Sequence, residues 1–187
     1  MNPFSNPFRA PSRTGTEWFS VGTTSEFPEV APADDTGTES ESKLQVCGNG
    51  APDGREGCKV FHVPKTDVSQ RTEVEIAGND LTAQNLTDQV LVFQYHGKIH
   101  AIDHAISQCP HSSFPLSQGI PFDIEDFGIV LSAGLTCPKH NWSFDLFSGR
   151  ADRGNYRLKV WEVQLREVVG SQNDDKEVWV RRKPRIG

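Results

Sequence analysis

Two short clusters in the sequence each place a cysteine beside a histidine. One residue separates Cys109 from His111, two residues separate Cys137 from His140, and a proline follows each cysteine. This spacing lets the tip of one tight loop aim a thiolate and an imidazole at the same point. Two such tips brought face to face would enclose a metal site with two sulfur and two nitrogen donors.

The donor set suits two kinds of metal. Thiolate and imidazole together can hold a tetrahedral Zn²⁺, but structural zinc sites usually pair cysteine with cysteine and histidine with histidine, whereas each half here is mixed. A two-iron cluster with both sulfurs on one iron and both nitrogens on the other needs one ligand of each kind from each loop. The pattern therefore favours a [2Fe–2S] cluster on Cys109, His111, Cys137 and His140 over a zinc-stabilised structural module.

The residues around these ligands resemble the Rieske [2Fe–2S] domain family. The likeness is carried by the opening strand, the segment after each ligand pair, and a later Ser-Gly pair: residues 18–28, 115–119, 141–145 and 148–149. It covers residues 17–28 and 60–181. The resemblance implies a small antiparallel β structure with the cluster at its tip, one-electron transfer as the activity, and redox proteins as partners.

The resemblance also indicates a subtype. Respiratory Rieske proteins carry an extra cysteine in each ligand loop, and these positions here are matched by Phe114 and Lys139, so that disulfide is absent. Their serine and tyrosine hydrogen-bond donors are matched by Trp142 and Phe144. Fewer donors to the cluster sulfurs imply a reduction potential in the lower part of the Rieske range, roughly −150 to 0 mV, as in a Rieske ferredoxin or the Rieske domain of an oxygenase.

The 25 residues between His111 and Cys137 form a longer gap than the family usually shows. We expect residues 119–134 to hold the extra length as an acidic flap near the cluster, carrying Asp123, Glu125 and Asp126. The flap is either a partner-docking feature or surface padding.

Short apolar segments bounded by turns predict an all-β fold, a small barrel or sandwich. The predicted strands are 17–22, 60–63, 73–76, 90–93, 98–102, 129–131 and 177–180. The pair 90–93 and 98–102 reads as a hairpin around His96-Gly97. Residues 156–165 alternate with a one-residue slip at Val160–Trp161, which predicts a β-bulge in one strand.

The chain is expected to be one domain with extensions. We predict a disordered tail at 1–16, a domain at 17–183 with a polar insertion at 31–59, and a short tail at 184–187. Cys47 and Cys58 lie in the insertion and could form a disulfide or stay free; free thiols are the default in a reducing compartment.

Composition narrows the function further. A net charge of −6 argues against nucleic acid or an anionic membrane as partner, and no apolar run is long enough to span a bilayer. We expect a cytoplasmic protein. A mitochondrial one is the alternative, because Arg9 and Arg13 stand without acids in the first sixteen residues, although prolines there oppose an amphipathic helix.

The sequence excludes two complete activities. No histidine follows His140, so the mononuclear iron site of a self-sufficient oxygenase is missing, and no Gly-rich dinucleotide fingerprint follows a strand. We therefore expect an electron-transfer component rather than a complete enzyme. It is either a ferredoxin-like carrier between a reductase donor and an oxygenase or other acceptor, or a Rieske-like small subunit of a complex such as nitrite reductase.

Overall fold

The computed structural model of the chain describes residues 15–30, 45–47, 57–76, 86–105, 114–168 and 175–184. Their strands are β1 Phe19–Thr23, β2 Cys58–His62, β3 Thr72–Val74, β4 Gln89–Tyr95, β5 Lys98–Asp103, β6 Ile120–Asp126, β7 Ile129–Cys137, β8 Trp142–Asp145, β9 Glu162–Glu167 and β10 Lys176–Arg181. Within these residues the helical elements are single 3-10 turns, which confirms the all-β prediction. No helix in the described part of the chain is long and apolar enough to cross a membrane.

The strands form three antiparallel sheets. The first sheet has the order β1-β10-β9, the second β3-β2-β4-β5, and the third β6-β7-β8. The chain enters the first sheet with β1 and returns to it only with β9 and β10. In the sequence, the strands of the second and third sheets therefore lie between β1 and β9.

The second sheet is the middle layer of the fold. Val90 and Val92 of β4 pack into one core together with the first sheet, whereas Leu91 and Phe93 pack into another core together with the third sheet. Because both faces of β4 are covered, its sequence is a continuous apolar run rather than an alternating one.

The hairpin predicted around His96-Gly97 is confirmed. Strands β4 and β5 pair in register from Tyr95↔Lys98 to Val90↔Asp103. His96 and Gly97 both have positive φ, at 52° and 66°, as a two-residue type I′ turn requires.

The prediction of one bulged strand across 156–165 is wrong. Only the second half belongs to a sheet strand, β9, and Val160 forms an isolated bridge with Ile102. Leu158 lies in the core beneath the third sheet, and Trp161 in the core beneath the first. The slip in alternation arises because the chain crosses from one core to the other at this point.

Residues 1–14 and most of the predicted 31–59 insertion lie outside the described residues. The part that is described belongs to the interior. Val46 is fully buried, and the backbone N–H groups of Val46 and Cys47 donate to the carbonyl oxygens of Gly119 (2.9 Å) and Ser117 (3.0 Å). At residues 45–47, therefore, this segment packs against the core, contrary to its prediction as a polar surface insertion.

Candidate metal centre

Cys137 and His140 stand on one tight turn at the end of the third sheet. Cys137 is the last residue of β7 and pairs with Trp142, the first residue of β8. The turn is closed by the Asn141 N–H, which donates to the Cys137 carbonyl oxygen at 2.9 Å, and Asn141 takes a left-handed φ of 52°. A left-handed asparagine is a common way to reverse a chain in so few residues.

The two candidate ligands on this turn differ in their surroundings. Cys137 is 1% exposed and belongs to the core beneath the third sheet, whereas His140 is half-buried and Pro138 and Lys139 are exposed. A metal group bound here would therefore have its thiolate side toward the protein interior and its imidazole side toward the surface. Thiolate and imidazole are the donors that a mixed two-iron site needs, so the residues fit such a group.

Arg153 and Asp152 brace this turn from the side. The Arg153 guanidinium donates to the Asn141 carbonyl oxygen at 3.1 Å and to the Asp152 carboxylate at 2.8 Å. Asp152 accepts from the Ser143 N–H and returns a backbone hydrogen bond to the Ser143 carbonyl. The hydrogen bond from Arg153 holds the pKa of the Asp152 carboxyl below its ordinary value, so the brace is charged at neutral pH.

Cys109 and His111 lie outside the described residues, but both ends of their loop are described. Ala105 forms a β-bridge with Pro115, and the Leu116 N–H donates to the His104 carbonyl oxygen at 2.7 Å. The two ends of the segment that contains Cys109 and His111 are therefore adjacent in the fold.

His104 is a buried residue of this base, and its position in the sequence does not indicate this structural role. Its ring is 1% exposed, with Nδ1 2.8 Å from Oε1 of Gln89 and Nε2 2.9 Å from Oγ of Ser117. Because the Gln89 oxygen can only accept, Nδ1 carries the proton and Nε2 accepts from the Ser117 hydroxyl. Burial lowers the pKa of His104 to about 4, so the ring is neutral and fully hydrogen-bonded.

Phe114 and Lys139, the two positions matched to the respiratory disulfide, are in contact. The Lys139 ammonium nitrogen lies 5.7 Å from the centroid of the Phe114 ring, within the range of a cation–π contact. Phe114 ends the segment that contains Cys109 and His111, and Lys139 stands between Cys137 and His140 in the sequence. At these two positions a cation–π contact replaces the disulfide of the respiratory subtype.

Aromatic side chains cover the turn on its core side. Phe144 is fully buried, and Trp142 is half-buried with its ring centroid 4.7 Å from that of Tyr156. These are the two positions matched to the serine and tyrosine donors of the respiratory subtype, and both are apolar or nearly so.

The Ser-Gly pair after β8 has a steric basis. Gly149 has a φ of 71°, and a Cβ placed on it would lie 2.1 Å from the Leu158 carbonyl oxygen. Its N–H donates to the Asp145 carbonyl and its own carbonyl accepts from the Leu158 N–H, each at 2.8 Å. Only glycine fits this close approach of two chain segments beside the hairpin that carries Cys137 and His140.

Cys47 and Cys58, whose pairing the sequence leaves open, form a disulfide. The link joins β2 to the segment 45–47, whose backbone contacts Ser117 and Gly119 directly after the first ligand loop. Sequence reasoning left the pairing open, because no pattern around either cysteine distinguishes a disulfide from two free thiols.

The predicted acidic flap is a hairpin that extends away from Cys137. Strands β6 and β7 pair from Ile120↔Thr136 to Asp126↔Ile129, so the exposed Glu125 and Asp126 lie at the far end rather than near the candidate ligands. Asp123 lies further back and accepts a hydrogen bond from the Tyr95 hydroxyl at 2.8 Å.

Comparison with known proteins gave three findings. No curated protein matches the chain. A solved structure with the provisional description of an NADH-dependent nitrite reductase small subunit from Mycobacterium tuberculosis is similar at 20% identity, with a TM-score of 0.37, over 51% of this chain and 74% of the other. The sequence profile of the Rieske [2Fe-2S] domain matches residues 63–163, more than half of the chain. That stretch includes both cysteine–histidine pairs, the loop base at His104 and the brace at Arg153, and the chain therefore belongs to the Rieske [2Fe-2S] domain family.

Proposed function

We propose that this protein is an electron-transfer component that uses Cys109, His111, Cys137 and His140 to hold the [2Fe–2S] cluster of its family. The observation that supports the proposal is the contact between Lys139 and Phe114. Cys137 and His140 share one tight turn, and Lys139 on that turn contacts Phe114, which ends the segment containing the other pair. This arrangement lets each loop supply one sulfur and one nitrogen.

The chain's own residues would control three aspects of the site. When bound, the cluster supplies reversible one-electron redox chemistry, and the added electron is added negative charge. The exposed Lys139 ammonium group is placed to stabilise that charge, while Phe144 and Trp142 keep water away from the Cys137 side. The half-buried His140 leaves an imidazole edge at the surface, which we infer to be the route to a redox partner.

The partner system is part of the proposal. We propose a ferredoxin-like carrier that receives electrons from a reductase and passes them to an oxygenase or another acceptor, acting as a unit of residues 17–183. A complex in which the protein is a permanent small subunit would use the same site. Co-purification with a reductase at fixed stoichiometry would favour the subunit over the carrier.

Substitution of the four ligands tests the site directly. Cys109→Ser, His111→Ala, Cys137→Ser and His140→Ala should each abolish or sharply reduce bound iron and acid-labile sulfide, measured chemically on protein purified with iron and sulfide supplied. The matched controls are the double variant Cys47→Ala/Cys58→Ala and the strand variant His62→Ala, which should retain both. Full iron and sulfide content in any ligand variant would contradict the assignment, as would one zinc per chain without sulfide.

A further inference from the structure

The end of the β6–β7 hairpin exposes an apolar surface. The hairpin tip, residues 125–131, includes Phe127, Ile129 and Leu131, which are 98%, 65% and 64% exposed. Val130 between them is also about half exposed. Scattered single apolar residues on a surface are ordinary, but a contiguous group of them points to a binding site.

Phe127 has a left-handed backbone conformation that no packing of its side chain compensates among the described residues. Phe127 and Gly128 form a two-residue turn with φ values of 49° and 75°, a turn in which asparagine, aspartate and glycine are strongly preferred. The corresponding His96 at the β4–β5 turn also has positive φ, but its ring is hydrogen-bonded to Asp123. Among the described residues the almost completely exposed Phe127 ring gains no comparable packing, and such uncompensated backbone outliers are found at functional sites.

A bulge adds a further residue to the same surface. Ile124 pairs with Ser132 and Glu125 with Val130, so Leu131 is the extra residue between the two pairs. Bulges bend a strand and redirect its side chains. Leu131 is thereby exposed only two residues before Ala133, which is buried in the core.

The charges of the hairpin tip select the kind of partner. Glu125 and Asp126 are exposed on β6, which is an edge of the third sheet, and the chain carries a net charge of −6. A second copy pairing along this edge would bring like carboxylates together, and charged edges oppose such pairing. An anionic bilayer would be repelled for the same reason. A protein surface with an apolar pocket and a cationic rim would instead complement both the apolar side chains and the carboxylates of the hairpin tip.

The hairpin tip is also remote from the candidate ligands. Ile129 and Cys137 are eight positions apart on β7, which is about 26 Å at the rise of a strand. A partner bound at the hairpin tip therefore need not cover the His140 edge.

We propose that the hairpin tip is a docking site for a protein partner whose apolar pocket receives Phe127 and whose lysine or arginine rim pairs with Glu125 and Asp126. The docking is independent of the proposed cluster chemistry. It would attach the protein by one end while the ligand loops remain open to electron exchange.

A random peptide library displayed on phage, selected on the cluster-loaded protein, tests this docking site. We expect enriched peptides to combine apolar residues with lysine or arginine and to bind less tightly as salt is added. Phe127→Asn should weaken their binding by about tenfold or more, while the matched exposed variant Leu165→Ser on β9 should leave it unchanged. Glu125→Gln with Asp126→Asn should remove most of the salt dependence.

The same Phe127→Asn variant separates docking from folding. Asparagine tolerates the left-handed backbone, so the variant should melt about 2–4 °C higher than the wild type while losing the peptides. Enriched peptides that ignore Phe127→Asn, or a library that yields none, would overturn the proposal. So would a dimer in light scattering that Phe127→Asn abolishes, or tip-dependent binding to vesicles of phosphatidylcholine and phosphatidylserine.

Discussion

The Lys139 side chain contributes a positive charge on the turn between Cys137 and His140. Its ammonium nitrogen lies 5.7 Å from the Phe114 ring centroid, and the residue itself is exposed. A cation at this distance from an aromatic face can hold two loops together without a covalent bond. The same charge favours the reduced, more negative state of a cluster bound beside it.

Neutralising this charge should lower the reduction potential. The wild-type midpoint is expected at roughly −150 to 0 mV. We expect Lys139→Gln to lower it by on the order of 20 mV, a small shift because solvent partly screens an exposed charge. Lys139→Arg keeps the charge and is the matched control. Redox titration followed by visible absorption measures both, and an upward shift in Lys139→Gln would contradict this electrostatic role.

Among the elements, the base of the first ligand loop depends on a neutral histidine. His104 connects β4, through Gln89, to the 3-10 turn Leu116–Gln118, through Ser117. The ring is buried between them, so the positive charge of a protonated ring would not be solvated by water. The loop base is consequently sensitive to acid.

Acid should destabilise the fold through this residue. Burial lowers the pKa of His104 to about 4 in the folded state, whereas an unfolded histidine titrates near 6.5, so below pH 6.5 the unfolded chain binds more protons. Stability therefore falls as pH decreases from 6.5 to 4, by roughly 3 kcal/mol for this group. Urea unfolding followed by tryptophan fluorescence should show this slope, which is reduced in His104→Gln. An equal slope in both proteins would refute the assignment.

The Cys47–Cys58 disulfide also stabilises the arrangement of the elements, since it links segment 45–47 to β2. It closes a loop with a sequence separation of 11 residues. A crosslink over that separation stabilises the folded state by about 2–3 kcal/mol, because it reduces the conformational entropy of the unfolded chain. Cys47→Ala/Cys58→Ala should lower the free energy of unfolding by about that amount while leaving the visible spectrum unchanged. Alkylation of the unreduced wild type should leave both cysteines unmodified. Their modification would show that the pair is not formed.

At the scale of the whole molecule, the acidic charge should govern encounters with small redox agents. With a net charge of −6, the reduced protein should be oxidised more slowly by hexaammineruthenium(III) as ionic strength rises, and faster by ferricyanide. Salt screens attraction in the first case and repulsion in the second. Stopped-flow rates measure both. The same direction of change for the two oxidants would contradict electrostatic steering by the overall charge.

Local patterns in the sequence predicted the parts of the fold that depend on local chemistry. The cysteine–histidine pairs, the type I′ turn at His96-Gly97 and the last strand each follow from neighbouring residues, and the structure retains the turn and the strand. Features that depend on distant contacts were not predictable. The slip at Val160–Trp161 marks a passage between two cores, and a lone Val46 gives no sign that it fills one of them.

The same limit applies to the site. The turn that carries Cys137 and His140 is local and follows from their spacing in the sequence, whereas the His104 contacts join residues 13 and 15 positions apart. A buried histidine with two side-chain partners has no signature of its own in a single sequence. The direction of the β6–β7 hairpin likewise depends on pairing with β8, which the acidic residues within it do not indicate.

The most direct test of the account is the spectrum of the protein itself. Protein purified with iron and sulfide supplied should be brown, and its reduced EPR signal should have an average g value below that of all-cysteine ferredoxins, because both nitrogens bind one iron. That signal should be lost in Cys137→Ser and retained in Cys47→Ala/Cys58→Ala. A colourless protein that holds one zinc would make the four residues a structural clasp and contradict the electron-transfer function.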